Sequence, residues 1–280
     1  MNITIRELIS HVAGMRHSND HDLLHDWEFR ITNSTQLLNW FKDEPLLYEP
    51  GHKYHYANHD WSMLAAIIEA VEKRPYYIVL NEFMHNIGME KARSDNRNEL
   101  IPHRVAQYQV LEQNGRKILV PPPIQDDLRP FPHWPAGGVI SNVHDLLVYG
   151  KQMLKSYKAS KTNEETILNS TTVHEMWTYK QPFVAPSKTE RTVAGHKFTD
   201  ITSEYALGWE RLEFPEEKVD PLFSKLFLVS HNGQIGGVSS IIGIVPEHDF
   251  VFAALSNLGG VSNFLNPMLL ETLHVLLLKG

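Results

Sequence analysis

The chain has 280 residues, more than the ~100 to 200 of a typical domain, so one large unit or two interleaved ones is expected, with enough chain to bury a sizeable core. Hydrophobic residues at 42% and charged residues at 21% exclude a disordered, collagenous or low-complexity protein. Lys and Arg number 26 against 33 Asp and Glu, a net charge of −7, and no run of five like charges occurs, so a nucleic-acid partner is excluded.

The absence of Cys removes disulfides, a thiolate nucleophile and Cys-based zinc sites, and leaves the compartment open. Met1 to Arg30 is charged throughout and has no apolar run of a secretory signal, nor does it read as a transit peptide. A first helix is expected over Asp60 to Arg74, where Leu64, Ile67, Ile68 and Val71 fall at i, i+3, i+4 and i+7 behind the cap candidates Asn58 and Asp60. Pro121, Pro122, Pro123, Pro130, Pro132 and Pro135 crowd the next stretch, which reads as an ordered loop or linker. A second helix is expected over Asn142 to Ser156, with Val143, Leu146, Leu147 and Leu154 on one face behind Ser141. Pro182 to Thr202 reads as another loop.

Strand signals follow at Leu226 to Ser230, Val238 to Val245 and Phe250 to Ser256, separated by the turn-like Asn232-Gly233-Gln234 and Pro246-Glu247-His248-Asp249, and predict an antiparallel meander. The last helix, Ser262 to Leu278, is apolar nearly all round, as one packed on a sheet would be. Its stretch from Phe264 to Leu278 is interrupted by Asn266, Pro267, Glu271 and His274 and is shorter than the ~20 residues a bilayer needs, so no transmembrane segment and a soluble protein are expected. Helices first and sheet later predict an α+β fold, with a mainly helical region over residues 1–135 and a sheet-and-helix region over 136–280.

Several catalytic signatures are absent: no G-x-S-x-G, no phosphate-binding G-x-x-x-x-G-K-[ST], no H-E-x-x-H and no G-x-G-x-x-G. His17, His21 and His25 at i, i+4 and i+8, interleaved with Asp20, Asp22 and Asp26, would line one helix face, but a solvated polar surface explains them better than a zinc site, and no metal is expected. More informative is Tyr56-Ala57-Asn58 just ahead of the first helix. In an extended segment Tyr56 and Asn58 point to the same side, where a phenol can exchange a proton and an amide can hold a substrate group. Spacing alone fits a core Tyr with a helix-capping Asn better than a site. A second locus is His231-Asn232-Gly233-Gln234, followed by Gly236-Gly237, where backbone can approach a ligand and an N–H can meet a developing oxyanion. Spacing alone also fits a glycine-rich hairpin turn there.

With their flanks, these loci resemble the family of serine β-lactamases, penicillin-binding proteins and related esterases. The matching stretches run in the family's order: ITIRELISHVAGM at Ile3–Met15, FKDEPLLYEPG and YHYANHDWSMLAAIIE within Phe41–Glu69, and WPAGGVISNVHDLLVYGKQML at Trp134–Leu154. They continue with TVHEMWT at Thr172–Thr178, YALGWE at Tyr205–Glu210 and SHNGQIGGVSSIIGIVPE at Ser230–Glu247. By this resemblance the fold is an antiparallel sheet flanked by helices with a helical region set beside it, and the site lies in a cleft between them. Tyr56 is implied as the proton-transferring phenol, Asn58 as holder of a substrate amide, and His231 as occupant of the third motif in its His-x-Gly form with Gly233. The Gln234 N–H is implied as one half of the oxyanion hole. No cofactor is implied, and the substrate class is a small peptide, an ester or a β-lactam.

The family works through an acyl-enzyme on the Ser of a Ser-x-x-Lys motif. No Ser or Thr of this sequence has Lys three residues later. The resemblance puts that motif ahead of Met1, which leads to the expectation of an N-terminally incomplete, truncated domain that does not hydrolyse acyl substrates as given. The same missing piece would carry strands pairing with Phe250 to Ser256, so an open strand edge and a marginal monomer are expected. Three readings follow: an incomplete copy of a serine hydrolase, a pseudoenzyme binding a ligand or partner in its cleft, and a self-assembling protein using the open edge. Mitochondrial members of the family imply a mitochondrial peptidase linked to lipid metabolism.

Overall fold

The computed structural model describes residues 2–17, 33–95, 100–122, 135–159, 165–181, 184–216 and 221–279. The chain divides into two compact units, the first formed by Met1–His103, Ile124–Ser141 and Gln181–Val184, the second by Arg104–Pro123, Asn142–Lys180 and Ala185–Gly280.

In the first unit, α1 (Ile5–Ile9) starts at a capping box: the Thr4 hydroxyl accepts from the Glu7 N–H at 3.2 Å, and the Glu7 carboxylate accepts from the Thr4 N–H at 2.7 Å. A 3-10 helix at Ser34–Trp40 precedes α2 (Asn58–Glu72) and α3 (Tyr76–Asn86). The Glu69 carboxylate ties these together by accepting from the N–H groups of Ser34, Thr35 and Tyr76. β1 (Arg93–Ser94) pairs antiparallel with β4 (Val139–Ile140). The core of this unit is Leu8, Ala13, Met15, Phe41 and Ala57, with Leu38, Leu64 and Ile67 packed against it.

The helix expected over Asp60 to Arg74 therefore exists, with two differences. Its cap is Ala57, whose side chain caps nothing, and Asn58 is the first helical residue. Its fully buried face is His59, Asp60, Ser62, Ala65 and Ala66, while Ile68 and Val71 face outward. Small and polar side chains occupy that face because the helix lies close to the segment that precedes it, so the apolar period marks only the margin of the contact.

In the second unit, β5 (Ser187–Val193), β6 (His196–Tyr205), β7 (Glu210–Glu213), β8 (Phe227–Ile235), β9 (Val238–Val245) and β10 (Phe250–Ser256) form one antiparallel sheet in the order β10-β9-β8-β7-β6-β5. α4 (Val143–Lys158) and α5 (Ser170–Thr178) pack on one face of it and α6 (Ser262–Lys279) on the other. Strand alternation sorts the two layers: Leu228, Ile241 and Val245 join Leu265, Leu269 and Leu273 of α6, while Val229 and Ile244 join Met153, Val173 and Trp177. α4 starts at Asn142, whose side-chain oxygen accepts from the Asp145 N–H at 2.9 Å. The fold is α+β with helices flanking an antiparallel sheet, as the sequence predicts.

Three expectations need correction here. Pro182 to Thr202 is no loop over most of its length: Ser187 onward forms the β5–β6 hairpin, turned at Ala194-Gly195 with φ of 49° and 81°. Only one face of that hairpin is buried, so Thr and charged residues dominate it and the apolar signal is thin. Asn232-Gly233-Gln234 is not a turn but the outer half of β8, and the chain reverses at Gly236-Gly237, between Ile235 and its partner Val238. A further hairpin, β2 (Gln109–Gln113) with β3 (Arg116–Val120), which no strand signal anticipates, turns at Asn114-Gly115 inside the stretch expected to be mainly helical. Most of the Pro-rich stretch after it, residues 123–134, lies outside the described residues.

Candidate active site

Tyr56 and Asn58 belong to the first unit, and the segment carrying them is fastened to the loop after α1. The N–H groups of Leu47, Gly51 and His55 donate to the carbonyls of Gly14, Val12 and His11 at 2.7, 2.8 and 2.8 Å. Gly14 is required for this: its φ is +79°, and a Cβ there would lie 2.1 Å from the Tyr48 carbonyl oxygen. The Gln181 amide closes the support by donating to the Ser10 carbonyl at 2.8 Å.

Under Tyr56 lies a buried titratable pair. His11 Nδ1 sits 2.7 Å from Asp60 Oδ2, with both side chains essentially inaccessible. Burial, with a smaller contribution from His55, lowers His11 from 6.5 to about 3. Burial also raises Asp60 from 3.8 to about 8, with His55 opposing. The Ala57 N–H points at the same His11 nitrogen at 3.4 Å, so that nitrogen is an acceptor and the shared proton belongs to Asp60. Among the described residues Asp60 Oδ1 has no hydrogen-bond partner, which a neutral carboxyl tolerates far better than a carboxylate.

The half-buried Tyr56 ring lies against His11 at 4.2 Å between centroids, tilted by 45°. Burial raises its phenol above 10, a hydrogen bond from Trp61 opposes this, and Asp60 adds to the rise. Tyr56 is thus a protonated phenol at neutral pH, equipped to donate. His17 lies beside both residues: its ring is 6.0 Å from that of Tyr56, and its Nδ1 is 3.4 Å from the Asn58 N–H. His21 and His25 lie outside the described residues, among which no cluster of three or more His, Asp or Glu suits a metal ion.

His231, Gly233 and Gln234 belong to the second unit, on β8 beyond its pairing with β7. That pairing ends at Glu210 opposite Ser230, whereas the pairing with β9 continues to Ile235. From His231 onward β8 is therefore paired on one side only among the described strands. His231 accepts or donates at Nε2 with the Tyr205 hydroxyl at 2.9 Å, and its Nδ1 lies 2.8 Å from the Asn232 carbonyl. Gly233 is opposite Ser240, whose Oγ would be 2.3 Å from a Cβ at that position. The Gln234 side chain faces outward and accepts from the Ser262 hydroxyl at 3.2 Å.

Sequence reasoning did not single out His11, Asp60, Trp61 or Tyr205. His11 and Tyr205 sit in stretches that carried the family resemblance, but no spacing rule points to them. Asp60 read as a cap, and only the fold shows it buried against a residue 49 positions earlier.

A family model described as Beta-lactamase matches residues 1–270. Among curated proteins, the mitochondrial serine beta-lactamase-like protein LACTB of Mus musculus is 27% identical over 224 residues, covering 78% of this chain and 37% of that protein. Its Homo sapiens counterpart matches equally, with 38% of its length covered. The chain thus spans less than two-fifths of these relatives. Solved structures with the same fold include a penicillin-binding protein from Bacillus halodurans, at TM-score 0.66 and 18% identity, covering 95% of this chain and 72% of that one. The octameric penicillin-binding protein homologue from Pyrococcus abyssi has TM-score 0.66 and 20% identity, covering 99% and 58%. The D-amino acid amidase from Ochrobactrum anthropi has TM-score 0.68 and 16% identity, covering 99% and 73%. No helix among the described residues is long and apolar enough to cross a membrane.

Proposed function

This chain belongs to the β-lactamase family, and we propose that it carries two of the three parts of an acyl-enzyme hydrolase site, without the nucleophile. The observation that carries this reading is the rigid support under Tyr56, a buried His11–Asp60 pair beneath a half-buried phenol, since catalysis needs such a group held in place by packing and hydrogen bonds. In this reading Tyr56 donates its proton to the leaving group and Asn58 holds the substrate amide. His231 and Gly233 line the strand against which the substrate lies, and the Gln234 N–H faces the oxyanion. The substrate is a small peptide, amide, ester or β-lactam. The word mitochondrial in the names of the LACTB relatives supports a mitochondrial setting for this reading, while a peptidase linked to lipid metabolism is what the resemblance alone implies. The nucleophile is a Ser-x-x-Lys that none of the 280 residues supplies, so these residues do not acylate unaided.

A serine-directed acyl probe tests this on the chain alone and on the chain joined to a Ser-x-x-Lys segment. Labelling is expected only for the joined protein, and Tyr56→Phe is expected to slow it ~100-fold or more. Labelling of the 280-residue chain alone, or an unchanged rate in Tyr56→Phe, overturns the reading.

A second reading, self-association, is favoured by one feature. Among the described strands β10 is an edge strand, FVFAALS, with neither charge nor Pro to block pairing, and Leu255 on it is 42% exposed. A second copy pairing along β10 would give an oligomer, a state named for the Pyrococcus abyssi homologue.

A further inference from the structure

The side chain facing His231 across the end of the sheet is Tyr205, and the geometry specifies which of the two donates. His231 Nδ1 lies 2.8 Å from the Asn232 carbonyl oxygen, which can only accept. In the neutral imidazole the proton is therefore on Nδ1, leaving Nε2 as an acceptor. The Tyr205 hydroxyl, 2.9 Å from Nε2, must then donate.

Tyr205 is well placed to hold this arrangement. It is the last residue of β6, opposite Glu210, and Glu210 is in turn opposite Ser230. Because β7 begins at Glu210, no strand residue stands between Tyr205 and His231. Immediately after Tyr205 the chain makes a tight turn closed by the Ala206 N–H donating to the Trp209 carbonyl at 2.8 Å, with Ala206, Leu207 and Trp209 all buried. The Leu207 N–H is fixed to the Met176 carbonyl of α5 at 3.1 Å. The two rings meet nearly perpendicular, at 81° and 5.8 Å. A side chain on so fixed a base is a rigid reference for its partner.

We infer that the Asn232 carbonyl holds His231 in the Nδ1–H tautomer and that Tyr205 is the positioning residue that donates to its Nε2 and fixes the ring, so that neutral His231 has no N–H to offer at its Nε2 edge. The inference rests on the reading of His231 as a site residue for its functional meaning, but the tautomer itself does not.

The test is therefore made on the 280-residue chain without turnover. Long-range proton–nitrogen correlation of the labelled protein, at a pH where the ring is neutral, reads the tautomer directly, and loss of a cross-peak in His231→Gln assigns it. The expected result is a pyrrole-type Nδ1 and a pyridine-type Nε2, the reverse of the tautomer favoured by free histidine. In Tyr205→Phe the Nε2 resonance should move downfield towards that of an unbonded ring, while the other histidine cross-peaks stay in place. A wild-type His231 protonated on Nε2 overturns the inference without any variant, and so do unchanged His231 nitrogen shifts in a folded Tyr205→Phe. A chain that shows the lock but never acylates when joined to Ser-x-x-Lys would instead retire the hydrolase reading alone.

Discussion

The buried His11–Asp60 pair makes the stability of the first unit depend on pH in a way that can be worked out in advance. For His11 the folded value, about 3, lies below the ordinary 6.5, so between these the unfolded chain binds the extra proton and stability rises with pH. For Asp60 the folded value, about 8, lies above the ordinary 3.8, so between these the folded chain holds the extra proton and stability falls as pH rises. From 3.8 to 6.5 the two slopes cancel, because the pair carries one proton in either state. Above 6.5 only the Asp60 slope is left, and over roughly 1.5 pH units at about 1.36 kcal/mol each it removes about 2 kcal/mol. Below 3.8 only the His11 slope is left, with a loss of about 1 kcal/mol down to pH 3. Urea denaturation followed by tryptophan fluorescence from pH 3 to 9 measures this. Asp60→Asn supplies the control, since its amide can still donate to His11 Nδ1 but does not titrate. The variant should lose the fall above 6.5 and show a rise with pH that continues from 3 up to 6.5, whereas the wild type is level from 3.8. A wild-type stability that stays constant from 6.5 to 8, or an unaltered profile in Asp60→Asn, would refute the assignment of the shared proton.

Gly14→Ala places a methyl group against the Tyr48 carbonyl and forces a side chain onto a left-handed backbone, so it should cost ~2 kcal/mol or more and lower the thermal midpoint by several degrees. Because Gly14 accepts from the Leu47 N–H on the segment leading to Tyr56, the Tyr56 ring signals should shift with it; an unchanged midpoint would show that the loop relaxes freely. For the open sheet edge, Leu255→Lys puts a charge on β10 and should reduce any concentration-dependent mass seen by light scattering to that of a 32.2 kDa monomer. Equal self-association in Leu255→Lys would place the contact elsewhere.

Legibility in the sequence followed the kind of force involved. The α4 and α6 helices and the β9 and β10 strands were readable because their apolar residues repeat at the period of the element and face a continuous core. The β5–β6 hairpin was missed because only Val193, Phe198 and Ile201 of its residues are fully buried, leaving a polar segment beside a Pro. The β2–β3 hairpin went unread even though Asn114-Gly115 is a strong turn signal. For the candidate site, the order of motifs pointed to Tyr56, Asn58 and His231, whereas the groups that govern their proton states did not stand out. Asp60 and Tyr205 act across 49 and 26 residues of chain, and pairings of that range are created by the fold and carry no local pattern.

The connectivity also separates short closures from long ones. In the sheet every strand lies beside the one that precedes it in the chain, so each new pairing closes only a short loop. One support of the first unit has no such route: the bond from Gln181 to the Ser10 carbonyl joins residues 171 apart, and closing that span costs about 2.5 kcal/mol more than closing one of about 10 residues. Strand pairing in the sheet thus needs only short closures, whereas the bond from Gln181, one support of the loop that carries His11, needs the chain to return from the second unit.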